Sequence, residues 1–202
     1  MKKKQKQIWK TVLEMIASGM PEAKTTVAEV ARRSCIGKGT VYEYFKNKND
    51  IFLVTAQYFA QETLSGMEAC YRGESFPKEF RELLHCARAW MGRCRSLFFF
   101  LFLGRHIVSP GVGANPEGCP TEHLSRGIRR DLVELMMKFF SLGRKEGLLR
   151  EGLELYEVIF ACSSVFSIFN VADTGNEELL QKKFTETELE EVAYTIFLRI
   201  LG

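Results

Sequence analysis

Hydrophobic residues recur every three to four positions along most of the chain, which is the spacing of one face of an α-helix. Near the amino terminus Ile8, Val12 and Ile16 follow this spacing. Gly19 and Pro21 then favour the end of that first helix. Because we find no alternating pattern convincing enough to predict a β-strand, the sequence predicts an all-α protein.

Two short helices are predicted next, separated by a break of only a few residues. Thr26 and Glu29 form a capping-box pattern, in which the Thr26 hydroxyl accepts from the Glu29 amide and the Glu29 side chain bonds back. Residues 34–37 interrupt the apolar pattern, and Val41 with Phe45 resumes it. We therefore expect a helix, a tight turn and a second short helix here.

Longer helices are predicted for the rest of the chain. Asn47 and Asp50 fit the cap and the third position of a long helix that runs through Thr63. Further helical patterns cover residues 77–90, 97–108, 128–143, 153–172 and 186–201, and the clearest loop covers residues 109–116. The prediction is three short amino-terminal helices followed by a helical bundle.

Positive charge is concentrated at the amino end. Residues 1–50 carry eleven lysines and arginines against five acidic residues, whereas the remainder of the chain is slightly acidic. Phosphate neutralisation by Lys and Arg supplies most of the nonspecific affinity for DNA, so this segregation fits a nucleic-acid-binding module. A basic face that is merely solvated would give the same distribution, and charge alone leaves both interpretations open.

A short helix, a turn and a second short helix inside a basic segment predict a helix-turn-helix, whose second helix enters the DNA major groove. Within residues 37–45, Val41 and Phe45 are expected to face the core. Lys38 and Thr40 are suited to base edges, and Gly39 allows a close backbone approach. The other expected contacts, mainly to phosphates, are Thr26, Tyr42, Tyr44, Lys46 and Lys48.

Three stretches carry a family resemblance: Thr25 to Ala31, Lys38 to Lys48, and Asp50 with Ile51. They closely resemble the TetR family of bacterial regulators, over roughly residues 5–60. The resemblance implies a homodimer, usually a repressor, that leaves a palindromic double-stranded DNA operator when a small molecule enters its sensor domain. The expected DNA-contact set is then Thr25, Thr26, Lys38, Gly39, Thr40, Tyr42, Tyr44, Lys46 and Lys48.

Two residues of the turn depart from the family pattern. Cys35 stands where the family usually has glycine, and Gly37 stands where it usually has serine. If Cys35 adopts a left-handed conformation, it costs on the order of 1 kcal/mol relative to glycine. Cys35 is interpreted as a structural thiol, with a redox-sensitive site as the alternative, because Arg32 and Arg33 flank it.

Bulky apolar residues of the central region predict a cavity for a small, hydrophobic effector. The candidate lining residues are Phe59, Trp90, Phe98, Phe102, Met136, Phe140 and Phe166. An ordinary hydrophobic core would contain the same residues and stays open as the alternative.

The last two predicted helices carry apolar residues on more than one face. A monomer would leave part of that surface in water, so we predict that these helices pair with their copies in a two-fold interface. The candidate interface residues are Ile159, Phe169, Val192, Ile196, Phe197 and Ile200. Burial against the rest of the same chain is the alternative.

Patterns for catalysis and for metal binding are missing from the sequence. His85, His106 and His123 are dispersed, and the six cysteines form no Cys-x-x-Cys pair, so we expect no enzyme activity, no metal and no cofactor. No signal-peptide pattern is found, and the longest continuous apolar run, residues 97–103, is short of the ~20 residues that span a bilayer. We therefore expect a cytoplasmic protein without a membrane segment.

The predicted organisation is a DNA-binding domain over residues 1–48 and an effector-binding and dimerisation domain over residues 49–202. The alternative from another functional class is a helical ligand-binding protein or enzyme, whose helix-turn-helix docks another protein instead of DNA.

Overall fold

The structure is a computed structural model that describes residues 3–20, 24–95, 97, 120–173 and 181–202. These residues form helices only: α1 (Lys3–Ala17), α2 (Val27–Ser34), α3 (Lys38–Tyr44), α4 (Lys48–Glu68), α5 (Phe76–Arg93), α6 (Pro120–Lys145), α7 (Leu155–Asp173) and α8 (Glu186–Leu201). The all-α prediction is confirmed. The helix expected over residues 97–108 and the loop over 109–116 lie outside the described residues, apart from Leu97.

Contacts within the chain divide it into two compact units. Residues 1–64 and 90–131 form the amino-terminal unit, and residues 65–89 and 132–202 form the carboxy-terminal unit.

The amino-terminal unit has its core between the first three helices and the start of α4. Helix α1 packs against both α2 and α3, and α2 packs against α3. Each helix contributes the apolar residues that its periodicity predicts to face inward. The buried members are Ile8, Val12, Met15, Val30, Ala31, Ile36, Val41, Phe45 and Ile51.

Helix α4 begins as its capping pattern predicts. The Asp50 amide donates to Asn47 Oδ1 at 2.9 Å, and the Asp50 carboxylate accepts from the Lys46 amide at 2.9 Å. These bonds satisfy amides that the helix start would otherwise leave without a partner. The chain is thereby fixed at the junction between α3 and α4.

Helix α4 also packs against α1 and against the end of α5. Trp9 donates from Nε1 to the Thr55 carbonyl at 3.1 Å, and its ring meets Tyr58 edge to face. Further along α4, Phe59 meets Trp90 with ring centroids 5.5 Å apart. A continuous series of contacts therefore links the first helix to Trp90 within the amino-terminal unit.

The carboxy-terminal unit is built around phenylalanines from α5, α6 and α8. The ring of Phe197 lies 4.2 Å from that of Phe80 and 5.9 Å from that of Phe140, measured between centroids. Phe169 on α7 is also fully buried. Both Phe169 and Phe197, which were predicted to lie in a dimer interface, are enclosed by their own chain and offer no exposed surface to a second copy.

A buried carboxylate fixes the connection between α4 and α5. Glu79 is only 1% exposed, and its two oxygens accept from the four backbone amides of residues 72–75 at 2.6–3.2 Å. Burial raises the pKa of Glu79, but the four amides outweigh it and leave this pKa lowered. The loop is therefore organised around a single ionised side chain.

Helix α7 exposes large apolar residues. Leu155, Tyr156, Ile159 and Phe160 are between 48% and 64% exposed, and Phe160 is the most exposed of the four. Among the described helices α7 alone is long and apolar enough to cross a bilayer, judged by length and composition. The apolar character of α7 is not evident from uninterrupted apolar runs, which were the feature used in the sequence analysis.

Candidate nucleic-acid interface

Helices α2 and α3 present one face to the core and leave the other open. Val30 and Ala31 of α2 and Val41 of α3 are buried. Because α3 has only seven residues, burial of Val41 and of Phe45 at its end leaves the remaining side chains on the outer surface. Lys38 and Gly39 are exposed, and Tyr42 is 50% exposed. Lys38, Gly39 and Tyr42 therefore remain exposed on the side assigned to DNA, whereas Tyr44 packs partly against the core.

The turn between α2 and α3 contains a left-handed residue that is not a glycine. Cys35 has φ 53° and ψ 35°, and its amide donates to the Arg32 carbonyl at 3.3 Å. The Ile36 amide donates to the Ala31 carbonyl at 3.1 Å. These bonds close the end of α2 and turn the chain into α3.

Replacing Cys35 by glycine is expected to raise the free energy of unfolding by about 1 kcal/mol, because glycine adopts positive φ without the steric cost of a Cβ atom. Urea unfolding checks the result, with Cys162→Gly as a control in the interior of α7, where glycine should destabilise. No gain at Cys35 would mean that its thiol makes a compensating contact.

The start of α2 confirms half of the predicted capping box. Thr26 Oγ1 accepts from the Glu29 amide at 3.2 Å. The other half is wrong, because the Glu29 carboxylate accepts from Arg32 and Arg33 at 2.7–2.8 Å. Hydrogen bonds from these two arginines lower the pKa of Glu29 to about 2. Spacings of three and four residues on a helix are the sequence signal for such pairs.

The predicted DNA-contact residues differ in exposure. Thr26, Lys38, Gly39, Tyr42 and Lys46 are exposed, whereas Thr40, Tyr44 and Lys48 are half-buried. Thr25 is only 3% exposed. Its enclosed side chain offers little surface to a phosphate, and its contact with DNA stays a prediction.

Gly39 is not required by packing within the chain. A Cβ atom built on Gly39 meets no other atom within 4 Å, and the same holds for Gly37. A glycine inside a helix destabilises it relative to alanine. Its presence on the outer face of α3 therefore fits close approach by an external partner.

The effector candidates are distributed over both units, whereas the interface candidates all lie in the carboxy-terminal unit. In the amino-terminal unit Phe59 is buried against Trp90, and in the carboxy-terminal unit Met136 and Phe140 are buried and Phe166 is half-buried. Phe98 and Phe102 lie outside the described residues. Of the interface candidates, Ile159 and Ile200 are exposed and Val192 and Ile196 are half-buried.

Residues 22–55 match the family model described as bacterial regulatory proteins, tetR family. This match identifies residues 22–55 as a TetR-family amino-terminal segment. The matched segment contains the turn, all of α2 and α3 and the start of α4. The matched segment therefore includes the helix-turn-helix whose outer face carries Lys38, Gly39 and Tyr42.

Solved structures of bacterial regulators share the fold over nearly the whole chain. A putative TetR regulator from Vibrio parahaemolyticus is 16% identical with a TM-score of 0.71, covering 98% of this chain and 99% of its own. The fatty acid degradation regulator FadR from Bacillus halodurans is 16% identical with a TM-score of 0.68, covering 100% and 96%. FadR from Bacillus subtilis, solved in complex with stearoyl-CoA, is 17% identical with a TM-score of 0.64, covering 98% and 97%.

At these identities the structural likeness establishes the fold alone. No curated protein sequence matches the chain. The described residues contain no group of three or more His, Cys, Asp or Glu side chains placed to hold a metal ion.

Proposed function

We propose that this chain is a homodimeric transcriptional regulator that binds a specific DNA operator and, as a repressor, is released from it by a small hydrophobic effector. Residues 1–48 would read the DNA, and residues 49–202 would bind the effector and dimerise. The observation that carries the proposal is the outer face of α3, where Lys38, Gly39 and Tyr42 are exposed. Packing within the chain does not require a glycine at residue 39.

The DNA-reading role follows from the chemistry of that face. Thr40 offers a hydroxyl and a methyl group to a base edge, and Lys38 offers a charge to a guanine edge or a phosphate. Tyr42 and Lys46, both exposed, suit phosphates and would fix the register. Two copies related by two-fold symmetry would address a palindrome in major-groove sites about 34–36 Å apart, or at a related spacing.

The operator is to be identified by selection from random double-stranded DNA. We expect a short palindrome bound in the nanomolar range, with affinity that falls steeply with salt. Failure to enrich any sequence would contradict operator reading and favour a helix-turn-helix that docks another protein. Turnover of a substrate without any DNA affinity would favour the enzyme alternative.

On that operator, Gly39→Ala is expected to weaken binding at least fivefold while making the free protein about 0.5–1 kcal/mol more stable. The added methyl group stabilises the helix but occupies the space that the DNA would use. Fluorescence anisotropy and urea unfolding measure the two effects. Thr40→Ala should also weaken binding, by about 1 kcal/mol or more, and should relax specificity at one base pair.

The diagnostic result for Gly39→Ala is a more stable free protein that binds the operator more weakly. Gly92→Ala is a control near the end of α5, where the added Cβ atom also meets open space. It should leave DNA affinity unchanged. If Gly39→Ala binds the operator as well as the original protein, α3 does not approach DNA at this residue.

The dimer proposal rests on the apolar surface of α7. This helix packs against α8 within the carboxy-terminal unit and still exposes Tyr156, Ile159 and Phe160. Ile200 of α8 is 36% exposed as well. A second copy would remove this surface from water, which also explains a helix apolar enough to resemble a membrane span. The proposed interface therefore keeps Ile159, Val192, Ile196 and Ile200 and adds Phe160.

The effector proposal draws on the FadR structures. One of them is described in complex with stearoyl-CoA, whose acyl chain matches the hydrophobic effector expected from the bulky apolar residues of this chain. We therefore propose a long-chain acyl thioester as the first effector class to test.

Stearoyl-CoA at micromolar concentration is expected to lower operator affinity at least tenfold, whereas CoA without an acyl chain should have no effect. Operator anisotropy measures release, and tryptophan emission measures binding. The emission change should be lost in Trp90→Phe, because Trp90 is a predicted pocket residue. Unchanged operator affinity with every acyl thioester would exclude this effector class and leave the DNA-binding proposal intact.

The proposed switch runs through α4. This helix starts at Lys48, directly after the DNA-reading helix, and contacts α1 through Thr55 and Tyr58. Phe59, one position further, contacts Trp90. An effector that binds better when α4 is displaced would change the separation of the two recognition helices. Equal separation in structures with and without a releasing effector would exclude this mechanism.

A further inference from the structure

Two cysteines of the carboxy-terminal unit lie side by side. Cys70 follows the end of α4, and Cys86 lies in α5. Their thiols are hydrogen-bonded to each other, neither cysteine is in a disulfide, and both are partly exposed. Their wide spacing along the chain gives no sign of this pairing, which only the folding of α5 back towards the end of α4 produces.

The groups around Cys70 and Cys86 affect the protonation of the two thiols. Hydrogen bonding to Cys86, together with burial, raises the pKa of Cys70. The single proton of Cys70 has two acceptors, the Cys86 sulfur and the Gly66 carbonyl oxygen, which lies 3.4 Å from Sγ. Arg72 and Glu82 form an ion pair at 2.8 Å. The charge of Glu82 raises the pKa of Cys70, and the charge of Arg72 lowers it. Because the Cys70 thiol donates its proton to the Gly66 carbonyl, Cys70 is assigned the protonated role and Cys86 the first reaction.

We propose that Cys70 and Cys86 are a redox modification site that closes to a reversible intrachain disulfide on exposure to a hydroperoxide. The Cys86 thiolate attacks a peroxide oxygen, the O–O bond breaks, and Cys86 becomes a sulfenic acid while the other oxygen leaves as water or an alcohol. The Cys70 sulfur then attacks the Cys86 sulfur. The S–S bond forms, the S–O bond breaks, and the hydroxyl group leaves as water with the Cys70 proton.

The electron balance is complete, since two thiols lose two electrons and one hydroperoxide gains them. The sulfurs must close from hydrogen-bonding separation to the about 2.05 Å of a disulfide. The bond would join the end of α4 to α5 and enclose the loop of residues 72–75 that Glu79 holds. A dithiol reductant would reopen it.

Hydrogen peroxide and the full-length protein suffice for the test. The intact mass is expected to fall by about 2 Da, for loss of two hydrogen atoms, and peptide mapping without reductant should join the peptides of Cys70 and Cys86. Dithiothreitol should restore the original mass and both free thiols. Cys70→Ser should stop at Cys86 sulfenic acid, about 16 Da heavier and trapped by dimedone.

Cys162→Ser is the matched control, because burial raises the pKa of the Cys162 thiol to about 12 and the residue lies in α7, away from the pair in sequence. It should form the Cys70–Cys86 bond as the original protein does. Circular dichroism and urea unfolding check that the serine variants are folded. The proposal is overturned if the original protein loses no hydrogen, if mapping joins other cysteines or two chains, or if the oxidised product resists the dithiol.

Discussion

Phe197→Ala is expected to lower the free energy of unfolding by about 3–5 kcal/mol, whereas Phe160→Ala lowers it by far less and instead weakens the dimer. The two substitutions remove the same atoms. Phe197 is fully buried against Phe80 and Phe140, so its loss leaves a cavity. Phe160 is 64% exposed, and its ring contact is with Tyr156, also exposed.

Urea unfolding at several protein concentrations and sedimentation equilibrium separate the two effects. The cost of Phe197→Ala should appear at every concentration, because the cavity lies inside one chain. The Phe160→Ala protein should show a larger dimer dissociation constant, and its stability deficit should shrink on dilution, when both proteins are monomers. A monomeric original protein at micromolar concentration would contradict the proposed dimer, and a negligible cost at Phe197 would contradict the core described above.

Glu79→Ala is expected to lower the free energy of unfolding by about 2–4 kcal/mol at pH 7. The carboxylate of Glu79 accepts hydrogen bonds from the four backbone amides of residues 72–75. Replacing the Glu79 side chain by alanine removes this acceptor from all four amides. Glu82→Ala is the control on the same helix. Its pair with Arg72 is exposed to solvent, so the loss should stay within about 1 kcal/mol.

The contribution of Glu79 should also depend on pH in a defined direction. Its pKa is lowered in the folded protein relative to the ordinary value of 4.5, because the four amides favour the charged form despite burial. The folded state therefore gains stability from Glu79 above about pH 4.5, and this gain is lost as the pH falls through the lower, folded pKa.

Urea unfolding at pH 7 and pH 3 tests the linkage with Glu79→Gln, which cannot ionise. The stability difference between the original protein and this variant should be smaller at pH 3. An unchanged difference would mean that shape and packing, and not the charge on Glu79, hold the loop.

Local patterns predicted much of the amino-terminal unit because their interactions join residues that are close in sequence. Thr26 caps α2 through Glu29, and Asn47 caps α4 through Asp50. The sequence left the left-handed conformation of Cys35 as a condition, and the structure shows it at the end of α2. The capping-box pattern did not predict the partner of the Glu29 side chain. The Glu29 carboxylate accepts from Arg32 and Arg33, so the second hydrogen bond of the capping box is not made.

By itself the sequence determined the helical class, the starts of α2 and α4 and the exposure of Lys38 and Gly39 on α3, because helix periodicity and capping are local and the basic charge is confined to one segment. Only the tertiary structure decided which apolar residues are core and which remain at the surface. Phe197 and Phe160 satisfy the same apolar pattern, yet neighbours from distant helices enclose one and leave the other in solvent. The Cys70–Cys86 pair and the amide cluster around Glu79 likewise depend on how the chain folds back, since a sequence pattern records spacing along the chain and not distance through space.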